Sequence, residues 1–175
     1  MYALSGMHTK FLSHKDMTTS AAKDSLWKQM SDADKAGDII QTGTGSSPGT
    51  NGHFDSNAAG IAYGHAYSVI GVASLEDGTK LVQVRNPWGA EGYNGKWSDK
   101  VSNQYAEKVR KELNHVAKDD GVYFIEFGDY LTNFEETMIS TDNSGWSEAA
   151  FVKLGDTSSS SSTPSHTLTV TSDVD

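Results

Sequence analysis

The stretch GHAYSVIGVASLEDGTKLVQVRNPWG, residues 64–89, decides the fold. From Tyr63 to Ala73 the residues alternate, with His65, Tyr67 and Val69 on one face and Ala66, Ser68 and Ile70 on the other. Glu76-Asp77-Gly78 is a hairpin turn signal, and Lys80 to Asn86 alternates again. Residues 63–86 are therefore expected to form a β-hairpin. It ends at Pro87, which has no N–H to donate and holds Asn86 extended. With its tip at Asp77-Gly78, His65 lies 12 residues before Asp77 and Asn86 lies 8 after Gly78. Allowing for a bulge, the two side chains can sit side by side near the open end of the hairpin. An amide oxygen beside an imidazole fixes the ring's tautomer and orientation, which is the base-and-orienter half of a nucleophilic triad. Asparagine in that place suits a Cys–His ion pair, because it adds no charge of its own. Trp88 can lie over the pair and exclude water, which strengthens the hydrogen bond.

Upstream of this stretch, residues 21–36 read as a helix. Leu26, Trp27, Met30 and Ala33 recur at 3- and 4-residue spacings, and Gly37 stops them. Residues 38–41 read as a short strand, and 42–60 as a loop rich in Gly, Ser and Asn. Residues 1–20 show no sustained period. Downstream, residues 87–98 form a Trp/Gly-rich loop. A second helix is expected from Asp99 or Ser102 to about Ala117, with Val101, Tyr105, Val109, Leu113 and Val116 on its stripe. Asp119-Asp120-Gly121 is a turn, Val122 to Phe127 a buried strand, Asp129 to Phe134 a short helical turn and Thr137 to Ser140 a further strand. Beyond lie an apolar segment from Trp146 to Leu154, a Ser/Thr-rich stretch over 157–165 and an alternating Thr167 to Val170. The fold class is α+β: a twisted antiparallel sheet or half-barrel flanked by helices.

Composition excludes several function classes. The 175 residues carry 14 Lys and Arg against 23 Asp and Glu, a net charge of −9, so nucleic acid and anionic membranes are not expected partners. No run is long and apolar enough to cross a bilayer. Met1 to Ser20 lacks the pattern of a secretory signal, so a cytoplasmic location is expected. There is no cysteine, which excludes disulfides, Cys-ligated zinc and a thiol nucleophile from this chain. His8, His14 and His53 fit no zinc spacing, and the glycines of residues 43–52 lack phosphate-loop order.

The order Gly-His-Ala-Tyr-Ser-Val, a short gap, then Arg-Asn-Pro-Trp-Gly closely resembles the calpain family of intracellular cysteine proteases. The likeness continues through Gly95-Lys96-Trp97-Ser98-Asp99 and from Asp120-Gly121 to Phe127-x-Asp129-Tyr130-Leu131. Upstream it takes in Lys35-Ala36-Gly37-Asp38-Ile39-Ile40 and Ala3-Leu4-Ser5-Gly6. It implies that residues 1–142 are the second subdomain of a papain-like calpain protease core. It also implies that 143–175 begin the β-sandwich that follows, or a linker to it.

Carried over by position, the resemblance implies that His65 is the catalytic histidine, Asn86 the catalytic asparagine and Trp88 the residue shielding them. The family's cysteine lies in the preceding subdomain. A chain without cysteine is thus either the His/Asn half of a cysteine endopeptidase, completed by a Cys-bearing partner and acting on polypeptides, or a non-catalytic calpain-like scaffold. Alone it is expected not to cleave peptides. The family also binds calcium in this half. Asp99 and Asp120 match two of its acidic positions, Glu91 is displaced by one from a third, and Gly92 and Val122 stand where acids are implied. A calcium site, if formed, is expected to be weak. Without metal, Asp99 reads as a helix N-cap.

Overall fold

The computed structural model describes residues 7–47 and 55–141. All of these fall in the first of two compact units, Met1–Ser144; the second, Gly145–Asp175, with the expected β-sandwich opening, lies outside the described residues. The first unit is an α+β fold with a six-stranded, open, antiparallel sheet and three helices.

The helix α1, Ser20–Ala36, starts where Thr19 accepts a hydrogen bond from Ala22 N–H at 3.1 Å. It ends at Gly37, whose φ of 77° satisfies the last carbonyls in a left-handed turn. Its buried residues Leu26, Met30 and Ala33 are three of the four on the stripe the sequence offers, and Trp27 packs edge-on against Phe127. Two strands follow, β2 (Ile39–Gly43) and β3 (Ala66–Ser74), and β3 turns back into β4 (Lys80–Arg85). The turn is the expected one: Gly78 has a φ of 84°, its N–H reaches Leu75 O, and Thr79 N–H reaches Asp77 Oδ1. A bulge between Val69 and Gly71 shifts the hairpin register and leaves Ile70 exposed.

The last strands are β5 (Val122–Glu126) and β6 (Glu136–Thr141), with α3 (Phe127–Asn133) between them. With β1 at His8–Ser13, the order across the sheet is β1-β6-β2-β3-β4-β5. In register, Tyr67, Thr42 and Thr137 share one face with Val69, Ile40, Ile139, Val84 and Tyr123. All of these are buried, and α1 packs on β2, β3 and β6. Phe124, on the opposite face from Tyr123, is buried in the same core as Val109 of the helix α2, Gln104–Leu113.

Three sequence expectations need revision. The strand β1, His8–Ser13, lies where no period is visible, because it is an edge strand held by pairing with β6 and has no buried face of its own. The second helix is shorter than expected. Asn103, not Asp99, caps it by accepting from Tyr105 and Ala106 N–H, and Asn114, at φ 52°, ends it before Val116. Phe127 opens α3 rather than closing β5.

Candidate active site

His65 lies just before β3, where two hydrogen bonds to Thr44 fix its backbone. Its N–H donates to Thr44 Oγ1 at 3.0 Å and its carbonyl accepts from Thr44 N–H at 3.0 Å. The ring Nε2 lies 2.9 Å from Asn86 Oδ1. The orientation of the Asn86 amide follows from its other partners. Trp88 N–H, which can only donate, reaches Oδ1 at 3.1 Å, and Ala90 O, which can only accept, takes Nδ2–H at 3.2 Å. The oxygen therefore faces the imidazole, Nε2 carries the proton, and in the neutral ring Nδ1 keeps a lone pair. Nδ1 makes no hydrogen bond among the described residues.

Rings hold the imidazole on two sides. The Trp88 indole lies over it with centroids 4.1 Å apart and planes tilted by 33°, and Trp88 itself stays 52% exposed. Tyr67 meets it edge-on at 4.7 Å, and its hydroxyl accepts from Ala62 N–H at 2.9 Å. Burial pushes the Tyr67 phenol above its ordinary value, so it stays neutral. Asn86 is buried. Its backbone N–H donates to Gly121 O at 2.8 Å. A Cβ at Gly121 would come within 2.6 Å of Asn86 O, so the 119–121 turn must have glycine there to press against the asparagine.

The acidic residues do not converge as a cage. Glu91 is 2% exposed; its Oε1 accepts from Asp99 N–H at 3.2 Å and its N–H donates to Asp119 Oδ1 at 3.0 Å. Burial raises the Glu91 pKa, outweighing the Ser98 hydroxyl and the Asp99 N–H that favour the charged form. Both Asp99 oxygens lie 2.8 Å from His115 Nε2. Asp120 Oδ1 accepts from Val122 N–H at 3.1 Å, closing its own turn. Lys100 Nζ donates to the Glu91 carbonyl and lies 3.9 Å from Asp119 Oδ1.

Calcium takes six to eight oxygens at about 2.3–2.6 Å. Here Asp99 faces a ring N–H, Glu91 Oε1 and Asp120 Oδ1 face backbone N–H groups, and Gly92 and Val122 add no side-chain oxygen. Glu91 Oε2 is the one buried carboxylate oxygen with no hydrogen-bond partner among the described residues. No group of three or more His, Asp or Glu side chains among the described residues could hold a metal ion. As arranged, these residues do not fit calcium.

His14 is buried among Phe134, Thr137 and Tyr130, and His53 lies outside the described residues. Sequence reasoning missed Thr44 and His115, whereas it placed Tyr67 on the face of His65. Thr44 is visible only once β2 and β3 pair. His115 sits 16 residues from Asp99 with no motif around it.

The family model for the calpain family cysteine proteases matches residues 1–141. The chain belongs to that family. Calpain-type cysteine protease ADL1 of Oryza sativa subsp. japonica is 37% identical over 120 residues, which is 67% of this chain and 5% of the relative. Calpain-type cysteine protease DEK1 of Zea mays is 36% identical over the same length, with the same coverage. Calpain-9 of Rattus norvegicus is 38% identical over 85 residues, 46% of this chain and 12% of the relative. The chain thus spans a small fraction of the length of the relatives it matches.

Proposed function

We propose that this chain supplies the base and its orienter, His65 and Asn86, to a calpain-type cysteine endopeptidase whose nucleophilic cysteine lies on another segment or polypeptide. One observation carries the reading: Nε2–H of His65 is held by Asn86 Oδ1 at 2.9 Å under the Trp88 indole, with Nδ1 left to act.

In that role Nδ1 takes the thiol proton, giving a thiolate–imidazolium pair. The thiolate attacks the scissile carbonyl of a polypeptide. The imidazolium then returns its proton to the leaving amine. Water, deprotonated by the same nitrogen, hydrolyses the thioester. Asn86 keeps the ring's edge toward the nucleophile through both steps and adds no charge, and Trp88 limits water at the pair. The same reading places the second subdomain of the protease core at residues 1–142, with a linker or β-sandwich opening after it, and the protein in the cytoplasm. No helix among the described residues is long and apolar enough to cross a membrane. Calcium is not required in this reading.

A scaffold without turnover is the second reading, and the absence of cysteine from this chain is compatible with both. Two observations separate them. A cysteine in the parent protein ahead of residue 1, in a Gln-Gly-x-Cys-type setting, supports the enzyme; Ser, Ala or Lys there supports the scaffold. The 175-residue chain alone, incubated with a denatured protein substrate with and without calcium, should show no hydrolysis. Turnover that disappears in His65→Ala would overturn the need for a second segment.

A further inference from the structure

The loop that leaves Asn86 carries Trp88, passes Glu91 and Gly92, and returns at Asp99. Its two ends are tied to the 119–121 turn and to each other. Gly121 O takes Asn86 N–H at 2.8 Å, Asp119 Oδ1 takes Glu91 N–H at 3.0 Å, and Glu91 Oε1 takes Asp99 N–H at 3.2 Å. Three carboxylates in one such patch repel each other unless hydrogen-bond donors stand among them.

Two residues stand there. His115 Nε2 is seated symmetrically, 2.8 Å from each Asp99 oxygen, with the two side chains only 10% and 8% exposed. Its ring packs edge-on against Phe124 at 5.0 Å, which fixes its direction. Lys100 Nζ caps the Glu91 carbonyl and faces Asp119. The backbone closes the remaining space: a side chain at Gly92 would overlap the Gly60 carbonyl oxygen, so this loop has no room for a further acid at that place. The His115 and Lys100 contacts take up oxygens of Asp99 and Glu91 that a metal ion would otherwise need as ligands.

We propose that His115, with Lys100, is an internal clamp that holds the Asn86–Asp99 loop without a dication. His115 is thereby a positioning residue for the His65–Asn86 pair, acting through Asp99, Glu91 and the 119–121 turn. The consequence for catalysis rests on the dyad reading above, but the clamp can be tested without any activity.

The test is made on the whole 175-residue chain by ¹⁵N NMR and thermal unfolding. In the wild type, calcium raised to about 5 mM should leave the melting temperature and the amide signals of Asp99 and Lys118 where EDTA leaves them. His115→Ala should lower the melting temperature on the order of 5 °C, as loss of a buried hydrogen-bond partner of a carboxylate does. It should also shift the signals of Glu91, Asn86, Trp88 and the His65 ring nitrogens. His115→Gln, which can still donate to Asp99, should restore the His65 ring signals in part. Should His115→Ala fail to fold, Lys100→Met should move the same signals by a smaller amount. Saturable calcium binding that shifts Asp99 and Lys118 in the wild type overturns the clamp. So does a folded His115→Ala or Lys100→Met whose Asn86 and His65 signals stay in place. Failure to hydrolyse peptide after a Cys-bearing half is supplied would count against the dyad alone and leave these shifts as expected.

Discussion

Asn86 is the residue on which the site turns, because five contacts converge on it: the His65 ring, Trp88 N–H, Gly89 N–H, the Ala90 carbonyl and Gly121 O. A local motif announces it, since Arg85-Asn86-Pro87-Trp88-Gly89 needs no tertiary information to be noticed. Its support is not announced. Gly121 reads as an ordinary turn residue, yet the atom nearest its missing Cβ is the Asn86 carbonyl oxygen. Gly78 has the same φ of 84° with open space around it. That contrast separates backbone strain from collision. Gly78→Ala should cost about 1–2 kcal/mol for the left-handed conformation alone. Gly121→Ala should cost more, by roughly 1–3 kcal/mol, and should move the His65 ring signals. Denaturant midpoints of the two variants give the comparison. Equal costs would mean that the turn does not brace the asparagine.

Among the elements, α1 and the β3–β4 hairpin were legible because their signals are local: a 3- and 4-residue stripe closed by Gly37, and two alternating runs about Asp77-Gly78. The strand β1 was not, since its partner β6 is more than a hundred residues away and its pattern buries nothing. The α2 stripe ran past the helix end because Val116 keeps the spacing while Asn114 breaks the backbone. The chain just after β1 is anchored by a buried histidine: His14 Nδ1–H donates to Phe134 O at 2.7 Å, and Nε2 lies 2.8 Å from the Thr137 hydroxyl. Tyr130 OH meets that hydroxyl at 2.7 Å, so the Tyr130 proton goes to Thr137 and the Thr137 proton to His14. Burial lowers the His14 pKa below its ordinary value, outweighing the Phe134 carbonyl that raises it. The folded state therefore binds its proton less readily than the unfolded chain does. The stability from neutral His14 is full above the unfolded value of about 6.5 and is lost as pH falls below it. Urea midpoints at pH 7.5 and pH 5.0 should show a drop for the wild type that is smaller in His14→Gln. An equal drop in both would mean that His14 does not set this pH dependence. At α2, Asn103→Ala should cost about 0.5–2 kcal/mol by leaving Tyr105 and Ala106 N–H uncapped, whereas Ser102→Ala should cost little. Midpoints from the same denaturation series distinguish them.

At the scale of the molecule, an antiparallel sheet brings the start of β3 and the end of β4 together, and the loops beyond them place an imidazole, an amide and an indole at one end of the sheet. The absence of cysteine bounds the function from composition alone: thiol chemistry cannot begin in this chain. Neither composition nor motif reveals how the acidic loop is held, because His115 and Asp99 meet only after the segment beyond α2 folds back. The central claim is that His65 and Asn86 activate a thiol supplied from elsewhere. The most direct measurement is peptide hydrolysis by this chain with a calpain-type Cys-bearing half joined ahead of residue 1, compared with its His65→Ala and Asn86→Ala variants. Hydrolysis is expected in the joined protein, with a loss on the order of 10³-fold or more in His65→Ala and a smaller loss in Asn86→Ala. A joined, folded protein that does not cleave, or one whose rate is untouched by His65→Ala, would contradict the claim.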